Sequence, residues 1–269
     1  MIRLAVRARA EHADGVLAAM LELSPAGIEE SGGPGWVEYA LYGAPGELPA
    51  LPAGAAEVAG VTVQVSGTEV SDDWAERWRE FHRPVEIAGR LRIRPPWEPA
   101  AAPGLIDVVV DPGRAFGTGA HPTTRLSLEL ILGIEPGGSF ADLGCGSGVL
   151  AVVAAKVGFR PVAAFDNEQA AVTATRENAE ANGVALSEVR RWDLRDQAPP
   201  DAEVVAANLV RPLLLSLAGA MRGQPRALVL SGLLAGEEDE VAAAFAPLSE
   251  GRRLTSHGWS AMLLSPSYT

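Results

Sequence analysis

A chain of 269 residues has room for one large α/β domain, or for a catalytic domain with a small companion. Apolar residues make up 48% of it, which excludes global disorder, and the net charge of −12 argues against a phosphate backbone as its main partner. One cysteine, Cys145, excludes an intramolecular disulfide and a multi-cysteine zinc cage, and no apolar run reaches the roughly 18–20 residues that span a bilayer. The opening residues, MIRLAVRARAEHADG, lack the continuous apolar stretch of a signal peptide. The expectation is a soluble, cytoplasmic monomer without a metal, binding neither nucleic acid nor membrane.

Charge divides the chain into three zones. Asp and Glu outnumber Lys and Arg by 10 to 3 over residues 1–72, stand at 7 to 8 over 73–125, and at 17 to 11 thereafter. Residues 2–9 alternate as a strand should, and 13–23 carry apolar residues at helical spacing. Extended stretches follow at 27–30, 36–42 and 61–65. The order β-α-β-β-(weak α)-β suggests a split βαβ, ferredoxin-like α+β domain, although residues 43–60 are proline-rich where the second helix is expected. Residues 72–82, DDWAERWREFH, read as an amphipathic helix with Trp74, Trp78 and Phe81 on one stripe. That stripe suits docking onto a neighbouring domain, or else a stacking platform for a substrate. Strand-like segments come next, near 84–94 and 105–110.

The second half has the rhythm of a doubly wound, mostly parallel sheet. Strands 140–144, 161–166, 187–192, 203–208 and 227–232 alternate with helices 147–157, 168–181, 212–221 and 236–246. Segments 252–256 and 259–264 can pair as a terminal antiparallel hairpin. The expected division is residues 1–68 as a substrate-recognition domain, 69–98 as an interdomain helix and linker, and 99–269 as the catalytic domain.

The sharpest chemical signal is the segment from Asp142 through Gly144, Gly146 and Gly148, leaving a strand and opening a helix. Gly144 and Gly146 let the backbone approach a ligand closely. Asp166 ends the next strand, 22 residues after Gly144, where a carboxylate can accept both ribose hydroxyls of an adenosine. The acid beside the loop would repel a pyrophosphate but can help hold an ammonium. S-adenosylmethionine carries an ammonium and a sulfonium and no phosphate, so it is favoured over NAD.

The loop DPGRAFGTGAHPTT, residues 111–124, reads as a lid or ligand wall, with a plain domain linker as the other reading. Thr124 would open the following helix, and His121 is a candidate base near neutral pH. Asn208 ends the fourth strand and should face the site as an orienting group. No aromatic ring follows it, since Leu209 and Val210 come next. A flexible aliphatic amine is therefore a better substrate than a planar amide or base.

Together, DPGRAFGTGAHPTT, DLGCGSGVLAVVAAKVG, the Asp166 strand, ENAEANGV and the ANL element resemble the bacterial methyltransferases of large-subunit ribosomal protein L11. DWAERWREFHRP and RIRPPW resemble that family's interdomain region. The resemblance covers residues 72–235 well, and the N-terminal part only in layout. It implies a class I methyltransferase domain of Rossmann-like fold, behind a small N-terminal domain that grips the substrate. It also implies methylation of lysine side-chain amines and an N-terminal α-amine of the ribosomal protein, a cationic partner. The family's cofactor contacts would fall on Thr124, Gly144, Asp166 and Asn208, beside Asp142 and Gly146 from the loop itself. A methyltransferase acting on another protein or on a small-molecule amine fits the same residues, as does a non-catalytic cofactor-binding ribosome-assembly factor.

Overall fold

A computed structural model describes residues 2–23, 28–43, 48–49, 51–69, 82–112, 117 and 119–266. Of the expected helix at 72–82, residues 72–81, with Trp74, Trp78 and Phe81, lie outside them. The chain divides into two compact units, Met1–Phe81 and His82–Thr269.

Among its described residues the first unit is a five-stranded antiparallel sheet with one helix against it. Its strands are β1 (Ile2–Arg9), β2 (Glu29–Gly33), β3 (Trp36–Gly43), β4 (Gly54–Val58) and β5 (Val61–Glu69), in the order β2-β3-β1-β5-β4. A 3₁₀ turn, Ala10–His12, leads from β1 into α1 (Ala13–Leu23). Strands β1 and β2 flank β3, and β5 pairs with β1, as the split βαβ order requires. The weak helix expected within residues 43–60 is corrected, because Gly54–Val58 instead forms the edge strand β4, paired with β5. Alternation sends Leu4, Val6, Tyr39, Leu41, Val63 and Val65 into a core with Val16 and Met20 of α1. On the opposite face Glu38 sits between Arg3 and Arg7, each at 2.8 Å, so this acid is already matched.

The second unit is a three-layer α/β structure. Its main sheet contains β9 (Phe140–Leu143), β10 (Val162–Asp166), β11 (Glu188–Arg191), β12 (Val204–Asn208), β13 (Ala227–Leu234), β14 (Leu248–Ser256) and β15 (Trp259–Pro266). Their order is β11-β10-β9-β12-β13-β15-β14. The first five run parallel, and the hairpin β14–β15 adds antiparallel strands, as its alternation predicts.

Alternation along the strands decides which helix covers which face. Phe140, Val162, Ala164, Val204, Ala206 and Val229 meet α2 (Pro122–Ile131), α3 (Val149–Val157) and α4 (Gln169–Ala181) on one side. Ala141, Leu143, Phe165, Val205, Leu228 and Leu230 meet α5 (Arg211–Ala220) and α6 (Glu238–Ala244) on the other. A three-stranded sheet of β6 (Val85–Ile87), β7 (Leu91–Arg94) and β8 (Ile106–Val109) joins the first of these cores. Residues 82–98, expected to lie in an interdomain linker, therefore belong to this second unit. No described helix is long and apolar enough to cross a membrane.

Strand order reverses between β9 and β12, which places the ligand crevice of an open α/β sheet outside their carboxyl ends. The neighbouring strand β13 accommodates that crevice with a register shift between Ser231 and Leu233. Gly232 there has φ +87°, and a Cβ would lie 2.4 Å from the Leu209 carbonyl oxygen. Backbone cannot yield as a side-chain tip can, so Gly232→Ala combines an unfavourable φ with a clash. It should cost about 2–4 kcal/mol of unfolding free energy. Urea titration of the variant checks this, and an unchanged midpoint would contradict it.

Candidate active site

From Leu143 the chain turns through Gly144, Cys145, Gly146 and Ser147, and Gly148 starts α3. Gly144, Gly146 and Gly148 all have positive φ, at 74°, 53° and 77°. A Cβ on Gly148 would stand 2.6 Å from the Thr175 methyl group, so α4 presses directly on the turn. The Thr175 hydroxyl donates to the Gly146 carbonyl at 3.1 Å. On the other side the Leu209 side chain would meet a Cβ of Gly144 at 2.5 Å. The glycine spacing is thus required by close packing as well as by ligand approach.

The neighbouring strand satisfies the amides of this turn. Gly144 and Cys145 donate to the Phe165 carbonyl at 2.8 and 3.0 Å, and Gly146 donates to Asp166 Oδ2 at 2.9 Å. Asp166 Oδ1 accepts from the Glu168 amide at 3.0 Å. A carboxylate oxygen has two lone pairs, so both oxygens keep accepting capacity in a fixed orientation.

Asp142 stands differently from the expectation. The sequence suggests an acid beside the loop, able to touch a ligand. The structure buries it completely, because alternation along β9 turns it into the face covered by α3. Oδ2 accepts from the Ala151 amide at 3.1 Å, and Oδ1 has no partner. Burial pushes its pKa up to about 7, against the bond from Ala151 and with a smaller upward push from Asp166. Direct ligand contact is corrected to support of the turn from behind.

The first turn of α2 closes the crevice. The Ser231 hydroxyl donates to the Thr123 carbonyl at 3.0 Å, and Ser231 lies in register with Asn208. This brings the helix start over the ends of β12 and β13. The cap is His121, not Thr124 as the sequence suggests: its Nδ1 accepts from the Thr123 amide, and Pro122 takes the first helical position. Nδ1 also lies 2.8 Å from Thr123 Oγ1, and burial lowers the pKa of the ring, so the geometry gives His121 a capping role. Thr124 is buried as the third helical residue, and its Oγ1 has no partner.

Asn208 ends β12 half-buried, and no hydrogen bond of its amide occurs among the described residues. It does not cap α5, whose cap is Val210 without a side-chain bond.

Two positions inside ENAEANGV were given no role in the sequence reading. Asn178 and Asn182, one turn apart on α4, fasten the segment leading into the 111–124 loop. Asn178 accepts from the Asp111 amide at 3.1 Å and donates to the Ser147 carbonyl at 2.9 Å. Asn182 accepts from the Val109 amide at 2.9 Å and donates to the Val109 carbonyl at 2.6 Å. Their i, i+4 spacing was the available signal, but partners some 70 residues away gave it no direction. The Ser147 hydroxyl donates to the Gly117 carbonyl at 2.7 Å, so this loop is tied to the glycine turn. Residues 113–116 and 118 of the loop lie outside the described residues.

Gly144, Gly146, Asp166 and Asn208 thus lie at the carboxyl ends of β9, β10 and β12, and Thr124 lies in the first turn of α2, beside the Thr123 that accepts from Ser231 of β13. Residues 51–265 match the family model described as ribosomal protein L11 methyltransferase (PrmA). The chain belongs to the ribosomal protein L11 methyltransferase family. Members named ribosomal protein L11 methyltransferase include one from Pseudomonas putida (strain GB-1), 39% identical over 178 residues, or 65% of this chain and 61% of that protein. Against such relatives the chain spans about three fifths of their length. Another, from Burkholderia multivorans, is 33% identical over 274 residues and covers 90% of both chains. The crystal structure of the ribosomal protein L11 methylase of Lactobacillus delbrueckii subsp. bulgaricus superposes with a TM-score of 0.61 at 25% identity, covering 70% of this chain and 100% of that one.

Asp142 allows a test of the electrostatics by pH. Its carboxyl titrates near 7 when folded and near 3.8 when unfolded. Between those values the folded chain holds a proton that the unfolded chain has released, so stability falls as pH rises and levels off above about 7. Asp142→Asn titrates in neither state. The wild type's stability relative to this variant should therefore drop by about 2 kcal/mol from pH 5.5 to 8.5. Denaturation at both pH values checks this, and a pH-independent difference would contradict it.

Proposed function

We propose that this chain transfers methyl groups from S-adenosylmethionine to lysine side-chain amines, and to the N-terminal α-amine, of ribosomal protein L11. The observation that carries the reading is the Asp166 carboxylate, oriented by two backbone amides at the end of β10 and still able to accept two ribose hydroxyls. The residues fit the cofactor in a second respect. Thr124 Oγ1 is buried without a partner in the first turn of α2, where backbone donors and the positive helix end suit the carboxylate of a methionine group. Asp166, Gly144 and Gly146 would hold the adenosine, and Thr124 and Asn208 the methionine part.

S-adenosylmethionine supplies a methyl group on a sulfonium, open to in-line attack by a nitrogen. The protein's part is alignment and control of the amine's charge. Asn208, free of any capping duty, offers an amide that accepts from an incoming amine or orients the methionine group. Leu209, packed on Gly144, lines the crevice with aliphatic surface in place of a ring. A lysine amine must arrive neutral, although its free pKa is near 10.4, and burial against apolar surface lowers it. Proton loss to solvent on entry then serves, and His121 is left to its capping role. The acidic first unit is the part suited to gripping a cationic protein.

The reading is tested by radiolabel transfer from S-adenosylmethionine into separated ribosomal proteins. Label in lysines and the α-amine of L11 is expected. Label only in small amines, or none, would support the competing readings instead. Asn208→Ala should lower turnover by on the order of a hundred-fold through lost alignment. An amide does not titrate, so the rising limb of the pH–rate profile should keep its position. Wild-type turnover in this variant would remove Asn208 from the site.

A further inference from the structure

Among the described residues three large apolar side chains stand out as exposed: Val210 at 57%, Leu234 at 48% and Leu213 at 37%. Val210 caps α5 and Leu213 is on its first turn, with its amide bonded to the Val210 carbonyl at 3.0 Å. Leu234 is the last residue of β13. A single carboxylate joins the two segments. Glu237 accepts from the Leu234 amide at 2.9 Å and pairs with Arg211, between Val210 and Leu213, at 3.3 Å. Asn208 lies two residues before Val210, and its register partner Ser231 lies three before Leu234. The apolar patch therefore begins at the rim of the crevice. The start of α6 borders Leu234 through Glu237, and its acids Glu237, Asp239 and Glu240 pair with Arg211 and Arg253, three acids to two bases.

Exposed apolar side chains scattered singly mean little, but a group of them with a polar border marks a contact surface. An acidic border selects a cationic partner and repels a phosphate backbone. We propose that this rim docks an extended, lysine-bearing segment of the protein substrate, whose apolar side chains beside the acceptor lysine cover Val210, Leu213 and Leu234. The inference rests on the amine-methylation reading above and assigns these three residues to substrate selection by that site.

The test is the full-length triple variant Val210→Ser, Leu213→Ser, Leu234→Ser, assayed with free ribosomal protein L11. Its KM for the protein should rise about tenfold or more, as loss of a central apolar contact does at other interfaces. Calorimetric affinity for S-adenosylmethionine and turnover at saturating protein should stay at wild-type values. Should the triple variant melt early, Val210→Ser and Leu234→Ser alone, at the two more exposed positions, are each expected to raise KM about threefold by the same logic. An unchanged KM overturns the inference, and so does an equal loss of cofactor affinity. Wild-type self-association that the substitutions abolish with KM unchanged would give the surface to a second copy of the chain and likewise overturn it. A wild type that labels no ribosomal protein overturns the amine reading and this inference together. One that labels it, with KM unchanged in the variants, overturns this inference alone.

Discussion

The turn after β9 has to reverse within five residues while α4 presses on one side and Leu209 on the other. Glycine alone fits at 144 and 148. Such a turn leaves amides that must find acceptors, and the end of β10 provides them through the Phe165 carbonyl and the Asp166 carboxylate. Holding the turn therefore also orients Asp166. Most other features of the second unit follow from keeping that arrangement at the point where strand order reverses.

Electrostatic control comes from burial rather than from a charged cluster. Among the described residues no group of three or more His, Cys, Asp and Glu side chains could hold a metal ion. Desolvation raises the Asp142 pKa to about 7 and lowers that of His121. Both serve the scaffold, one bracing α3 and the other starting α2.

How much of this was legible in the sequence varies from residue to residue. The doubly wound sheet was, since β and α periodicities alternate cleanly and strand ends place Asp166 and Asn208 without knowledge of contacts. Strand β4 was not: Gly54–Val58, GAAEV, has little intrinsic strand preference and is extended through its pairing with β5. The cap of α2 could have been read from Pro122, which favours the first helical position and points to residue 121. Asp142 was misplaced because β9 is buried on both faces, so polarity gave no hint of which side an acid would take. The Asn178 and Asn182 clasp depends on chain segments far apart in sequence, which only the folded structure brings together.

The central claim is that the crevice outside β9 and β10 holds an adenosine whose ribose is bound by Asp166. Calorimetric titration of wild type and Asp166→Ala with S-adenosylmethionine, and of wild type with NAD, tests it most directly. The account predicts binding of S-adenosylmethionine without comparable binding of NAD, and affinity about ten- to hundred-fold weaker in the variant, the usual loss for charge-assisted hydrogen bonds. Unchanged affinity in Asp166→Ala, or NAD binding as tight as that of S-adenosylmethionine, would contradict it.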